Sequence, residues 1–270
     1  MKRQILFRHI PKTGGTTLRI IFNRVYGEEK VYHIKSTDVG SSYWEFRKMS
    51  AHERKSFRVI SGHGAEMFAE FVNDPFVVSV LREPVPLFFS QYRFLKTSTP
   101  SLYYDEVKKL RSPDEYLEYA ISKGQDNLLT RYFSNSMRFL IDHSTSIPNM
   151  EKEGPALLEV ARQNLHTCDA LLDLSGFDSG VFALSKMLNW KGIPVYRPSN
   201  ITRGNRGLAQ YDANILQKLK HFLRWDIELY NYFRQEKLDI ALLNANKQGL
   251  GNFLLKQKMI RIIARAIGKQ

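Results

Sequence analysis

Residues 7–18 read F-R-H-I-P-K-T-G-G-T-T-L, and what this run becomes decides the fold. Upstream, residues 4–10 predict a short strand. Downstream, residues 16–26 predict a helix, with Leu18, Ile21, Phe22 and Val25 at helical spacing. Between them, Pro11, Gly14 and Gly15 force an irregular turn. A strand, a glycine turn carrying a lysine and a helix opening on two threonines form an anion cradle. Gly14 and Gly15 let backbone approach a ligand that a side chain would keep away. The first amides of a helix have no intrahelical partner, and the helix dipole favours negative charge there. Lys12 adds a point charge, the amides of Thr13 to Thr17 add donors, and Thr16 and Thr17 add hydroxyls. The site suits a phosphate or a group of similar shape. The plain alternative is a glycine turn that merely links two elements. A Walker loop places its lysine directly after its last glycine. Here Lys12 precedes both glycines, so that pattern is not met.

The chain has 270 residues, enough for one large α/β domain with a full core. Forty Lys and Arg against 27 Asp and Glu leave a net charge of +13, which suits an anionic cofactor and an anionic acceptor. Nucleic acid would suit it too, but no helix-turn-helix, zinc pattern or aromatic RNA-binding motif accompanies the charge. The one cysteine, Cys168, excludes an internal disulfide and a cysteine-based metal site, and it reads as a buried apolar residue. No leader peptide is legible before the first strand, and no run of 18 apolar residues occurs; the expected location is cytoplasmic.

Further along, residues 57–62 predict a second strand, ending at Gly62-His63-Gly64 with a helix after it over 65–71. Residues 76–81, F-V-V-S-V-L, predict a strand buried on both faces, ending at Arg82, with a helix after Pro84. Open α/β sheets bind ligands at the carboxyl ends of their strands, where both His63 and Arg82 stand. An imidazole there is a candidate general base, a capping histidine being the alternative; His9 and His33 are weaker competitors. Arg82 offers a forked grip on phosphate oxygens, with a surface ion pair as its alternative. Residues 28–56 are polar and carry Tyr32, Tyr43, Trp44 and Phe46, which either stack on sugar rings or pack under a loop. Residues 137–154 read as a loop, and helices are predicted over 112–122, 127–133, 155–165, 178–190, 213–223 and 226–234, with a strand over 169–174.

The order P-K-T-G-G-T-T resembles the 5′-phosphosulfate loop of sulfotransferases that use 3′-phosphoadenosine 5′-phosphosulfate. It is most similar to the group that includes the heparan sulfate 2-O- and 6-O-sulfotransferases and their bacterial relatives. The segment L-R-E-P-V-P-L-F-F-S-Q-Y-R-F resembles that family's 3′-phosphate motif, which assigns 3′-phosphate binding to Arg82 and Ser90. Leu87 departs from it, since many members have a second arginine there. His63 matches the position of the family's catalytic histidine. The N-x-(S/T)-x-x-x-R-like run at residues 200–206 assigns Arg206 to a loop over the cofactor, against a solvated loop charge. The D-N-L-L-T-R-Y-F-S segment is similar to one that borders the acceptor, leaving Asn127 and Arg131 as acceptor or cofactor contacts or as helix packing. The resemblance implies a single P-loop-like α/β domain, a parallel sheet flanked by helices, over residues 1–240. It implies sulfuryl transfer to a glycan or glycolipid hydroxyl, with Lys12 and His63 catalytic and Lys12, Thr13, Gly14, Gly15, Thr16, Thr17, Arg82, Ser90 and Arg206 on the cofactor; no metal is expected, because no carboxylate pair is placed to hold one. A kinase-like phosphotransferase would need a carboxylate for Mg²⁺ at a strand end, where His63 and Arg82 stand instead. A non-catalytic polyanion-binding protein is the third reading.

Residues 247–270 carry six Lys and Arg and no acid. Leu255, Met259, Ile262, Ile263 and Ala266 fall on one helical stripe with Lys256, Arg261 and Arg265 off it. Residues 253–267 therefore form either a basic amphipathic helix on an anionic membrane surface or a final helix docked on the domain.

Overall fold

The computed structural model describes residues 3–97, 104–142, 144–197, 212–236 and 249–267. Among them, five parallel strands form one sheet: β1 (Ile5–Arg8), β2 (Val31–His33), β3 (Val59–Gly62), β4 (Phe76–Leu81) and β5 (Ala170–Asp173). Their order is β2-β3-β1-β4-β5. The chain thus lays strands on one side of β1 and then crosses to the other. The helices are α1 (Gly15–Tyr26), α2 (Val39–Lys48), α3 (Ala51–Ser56), α4 (Pro84–Thr97), α5 (Tyr104–Val107), α6 (Pro113–Ser122), α7 (Leu128–Phe133), α8 (Met150–His166), α9 (Phe177–Met187), α10 (Ala213–Phe222), α11 (Arg224–Gln235) and α12 (Leu250–Ile267). The expected α/β architecture is present.

Alternation along β1 sorts the core. Ile5 and Phe7 point into one layer with Leu18, Ile21 and Phe22 of α1 and with Val181 and Leu184 of α9. Leu6 points the other way, into a layer with Tyr32, Phe46, Ile60 and Phe68. Arg8 follows Leu6 onto that second face and is buried. Its guanidinium donates to the Tyr132 carbonyl at 2.7 Å and to Asn135 Oδ1 at 2.7 Å, over the Phe133 ring. A strand buried on both faces favours apolar residues, and the one charge it carries is held through Nη2, while its Nε is buried without a hydrogen-bond partner. Register then sets the site: Arg8 stands opposite Gly62 of β3 and Ser79 of β4. The turns after β1, β3 and β4 therefore leave the sheet along one edge.

Three local expectations are corrected. β2 lies within a stretch read as polar connection. Tyr32, Tyr43 and Phe46 from that stretch are core residues, and Trp44 alone of the four aromatics is exposed. Helix α8 begins at Met150 rather than near Pro155, because Asn149 caps it: its side chain accepts from the Glu151 and Lys152 amides, and Glu153 accepts from the Asn149 amide. Residues 65–71 wind as a 3₁₀ turn. Leu87, the departure from the resembled 3′-phosphate motif, is buried in the layer with Leu128, Leu129 and Phe133, and its burial contributes about 2 kcal/mol. Cys168 is half-buried, its thiol donates to the Asn164 carbonyl at 3.6 Å, and burial raises its pKa to about 11.

Asn127 and Arg131 belong to the packing. Arg131 is 1% exposed, pairs with Asp126 at 2.7 Å and donates to the Asp126 and Pro148 carbonyls. Asn127 donates to the Phe222 carbonyl and accepts from the Asp226 amide. Asp226 of α11 accepts from the Leu129 and Thr130 amides, so it caps α7 from a distant part of the chain.

Candidate active site

The turn after β1 is held in an uncommon conformation. Lys12 has φ 62° and Gly14 has φ 91°. A left-handed lysine costs energy unless its surroundings fix it. Arg82 does so: its Nη1 donates to the Lys12 carbonyl at 2.9 Å. The two residues assigned to opposite ends of one nucleotide are thus joined directly. Glycine is required twice. A Cβ on Gly14 would lie 2.8 Å from Leu174 Cδ1 in a left-handed backbone. A Cβ on Gly15 would lie 1.9 Å from His9 Cδ2, inside its ring contact. Gly15→Ala must therefore displace the His9 ring, which packs 4.5 Å from His63, and the cradle with it. We expect a folded protein with turnover reduced about 10²-fold, measured as kcat beside an unchanged circular dichroism spectrum.

The cradle is narrower than expected. The Thr17 amide donates to the Gly14 carbonyl at 3.0 Å, and Leu18 donates to the same oxygen. The forward-facing donors therefore come from residues before Thr17. Thr13 is fully buried and its hydroxyl donates to the Ile10 carbonyl, so its side chain braces the turn. Thr16, Thr17, Gly14, Gly15 and Lys12 all line one cleft of about 1170 Å³ that also takes in Arg82, Ser90 and His63. Arg206 lies outside the described residues.

Among the described residues, six basic side chains line this cleft against one acid: Lys12, Arg19, Lys35, Arg82, Arg93 and Arg261 against Asp178. Four of those cations had not been singled out for the site. Arg93 had a signal, since it stands one helical turn after Ser90 on α4. Arg19 likewise stands one turn into α1. Lys35 follows the unread strand β2, and Arg261 reaches the cleft from α12, which no local pattern announces. Crowding and burial have a cost in protonation. Burial, with the charges of Arg82 and Arg93, pulls the Lys12 ammonium down to about 8, while its Nζ sits 4.0 Å over the Phe94 ring. Lys12 is therefore charged below pH 8 and loses its charge above it. Affinity for a phosphate-bearing nucleotide should fall as pH rises through about 8, by up to tenfold per unit, when titrated calorimetrically from pH 7 to 9.5.

His63 has a defined tautomer. Its Nδ1 lies 2.6 Å from the His9 carbonyl oxygen. A carbonyl only accepts, so Nδ1 carries the proton and Nε2 keeps its lone pair. Burial lowers the His63 pKa, partly offset by that bond, and lowers His9 well below the ordinary imidazole range. Both rings are neutral at pH 7. His9 and His33 line the same cleft, but His9 is wedged between Phe7 and Gly15. The segment around β2 reaches the cleft through residues 33–37, without its aromatics. Among the described residues, no three His, Cys, Asp or Glu side chains gather as a metal-holding group.

A glycine turn at a helix N-terminus, an arginine bonded to the carbonyl of the turn's lysine, and a histidine with a free Nε2 lone pair meet at one edge of a parallel sheet. The model of the sulfotransferase family matches residues 1–233, and the chain belongs to that family. No curated protein matches it. The family match makes the chain a transferase of sulfuryl groups as a class.

Proposed function

We propose that the chain moves a sulfuryl group from 3′-phosphoadenosine 5′-phosphosulfate to a hydroxyl of an anionic glycan or glycolipid, in the cytoplasm. The observation that carries this reading is the Arg82–Lys12 bond within one cleft that His63 shares. A pocket for a small molecule measures about 300–1,000 Å³, so a cleft of about 1170 Å³ has room for a nucleotide and part of an acceptor together. Lys12 and the amides before Thr17 hold the 5′ end. Arg82 and Ser90 hold the 3′-phosphate, with Arg206 closing over the nucleotide. When bound, the donor supplies an activated sulfuryl group on a phosphate leaving group. His63 Nε2 takes the proton of the acceptor hydroxyl, and the Nδ1–carbonyl bond keeps the ring aimed. Lys12 and the helix N-terminus favour the negative charge that builds on the phosphate; one such donor contributes about 3 kcal/mol.

The likeness of the two phosphate motifs to those of heparan sulfate sulfotransferases supports a carbohydrate acceptor. The cationic lining away from Lys12 and Arg82, including Lys35 and Arg19, favours an acid-bearing one. The test is incubation with donor labelled in its sulfuryl group and a panel of neutral and uronic-acid polysaccharides. Label in the acid-bearing polymers supports the proposal. Label in none, with the donor intact, contradicts it.

A further inference from the structure

Helix α12 lies beyond the residues that match the family, and its two faces do different things. The inner face is built into the domain. The Phe253 ring packs 5.7 Å from Phe182 of α9, Gln257 is 1% exposed, and Arg261 pairs with Asp178 at 2.6 Å. Leu254 and Arg261 form part of the cleft wall. The outer face leaves four large apolar side chains in the open: Leu255 at 59%, Met259 at 55%, Ile262 at 56% and Ile263 at 53%. At about 100° per residue these four share one stripe, diametrically opposite Phe253, Gln257 and Arg261. Lys256 and Lys258, both exposed, border the stripe on its two sides. The helix is docked and amphipathic at once, so the two expectations for it were not exclusive.

Such a stripe needs a covering partner, because soluble proteins seldom leave contiguous apolar patches exposed. Charge decides which partner. The last 24 residues carry six Lys and Arg and no acid, within a chain of net charge +13. Two copies packed stripe to stripe would bring these cations together without a counter-charge. An anionic lipid surface accepts both features, the apolar side chains among its acyl chains and the flanking lysines at its headgroups. Among the described residues, no helix is long and apolar enough to cross a membrane, so the fitting geometry is a helix lying in the interface. We propose that the outer face of α12 docks the protein onto an anionic membrane surface. Because the inner face of the same helix supplies cleft wall, docking sets the cleft beside the headgroup layer. This goes beyond the reaction proposed above and does not depend on it.

The test is co-sedimentation of the full chain with vesicles of phosphatidylcholine alone and of phosphatidylcholine mixed with phosphatidylglycerol. The wild type should pellet with the mixed vesicles and stay in the supernatant with the neutral ones. Leu255→Gln/Ile262→Gln should lower that partition about tenfold or more, and Lys256→Glu/Lys258→Glu should lower it comparably at low salt. Neither pair touches the cleft wall, so nucleotide binding should be unchanged. Equal binding to both vesicles, or full binding by Leu255→Gln/Ile262→Gln, would overturn the proposal. So would a wild-type dimer in sedimentation velocity that Leu255→Gln/Ile262→Gln abolishes.

Discussion

His63→Ala should bind 3′-phosphoadenosine 5′-phosphate as the wild type does and turn over about 10²–10⁴-fold more slowly, the range ascribed to a positioned base. The split between binding and rate follows from placement. The cations of the cleft are Lys12, Arg82 and their neighbours, whereas His63 is neutral and contributes one lone pair. The pH profile gives a second readout. Burial holds the His63 pKa below its usual 6.5, so the imidazole becomes protonated, and unable to take a proton, only below that value. The acid limb of kcat/KM should therefore fall below pH 6.5 and vanish in the variant. An acid limb at or above 6.5, or a variant with normal turnover, would show that another group takes the proton.

Arg131→Met should lower stability by about 3–5 kcal/mol without changing the nucleotide affinity of the protein that remains folded. The Arg131–Asp126 pair is 1% and 5% exposed, and Arg131 also ties down the Pro148 carbonyl ahead of α8. Removing the guanidinium leaves Asp126 buried with one partner, the Asn127 amide group at 3.1 Å. For a chain of this size the loss amounts to roughly 6–20 °C in Tm, readable by scanning calorimetry. Asp126→Leu/Arg131→Met should recover part of it, since two apolar residues remove the stranded charge. A variant with wild-type Tm and weakened nucleotide binding would return Arg131 to the site, as the sequence alone had allowed.

Local chemistry makes much of this molecule legible in its sequence. The F-V-V-S-V-L run could hardly be anything but a buried strand, and Ser112 ahead of Pro113 caps α6 as its type predicts. Gly14 and Gly15 are legible as necessary, and at Gly15 the His9 ring fills the space a Cβ would take. What escaped is what depends on distant parts of the chain. β2 is three residues long and draws its stability from pairing with β3 rather than from its own pattern. Asp226 caps a helix nearly a hundred residues away, which gives no periodic signal. Tyr43 and Phe46 sit among Ser42, the exposed Trp44 and Glu45 on α2, and their burial comes from the Phe68 and Phe71 rings packed against them. Arg261 shows the limit most clearly. Its tail reads as a separate basic segment, and packing on α9 is what brings it to the cleft.

The central claim is that one doubly phosphorylated adenosine spans Lys12 and Arg82. Isothermal titration of 3′-phosphoadenosine 5′-phosphate in the presence of a chelator tests it most directly, using the wild type, Lys12→Ala and Arg82→Ala. The account predicts binding without Mg²⁺ and a Kd raised about 10–100-fold in each variant, the loss expected for one charge-assisted contact. A wild type that ignores this nucleotide but takes ATP with Mg²⁺, or variants that bind it unchanged, would contradict the account.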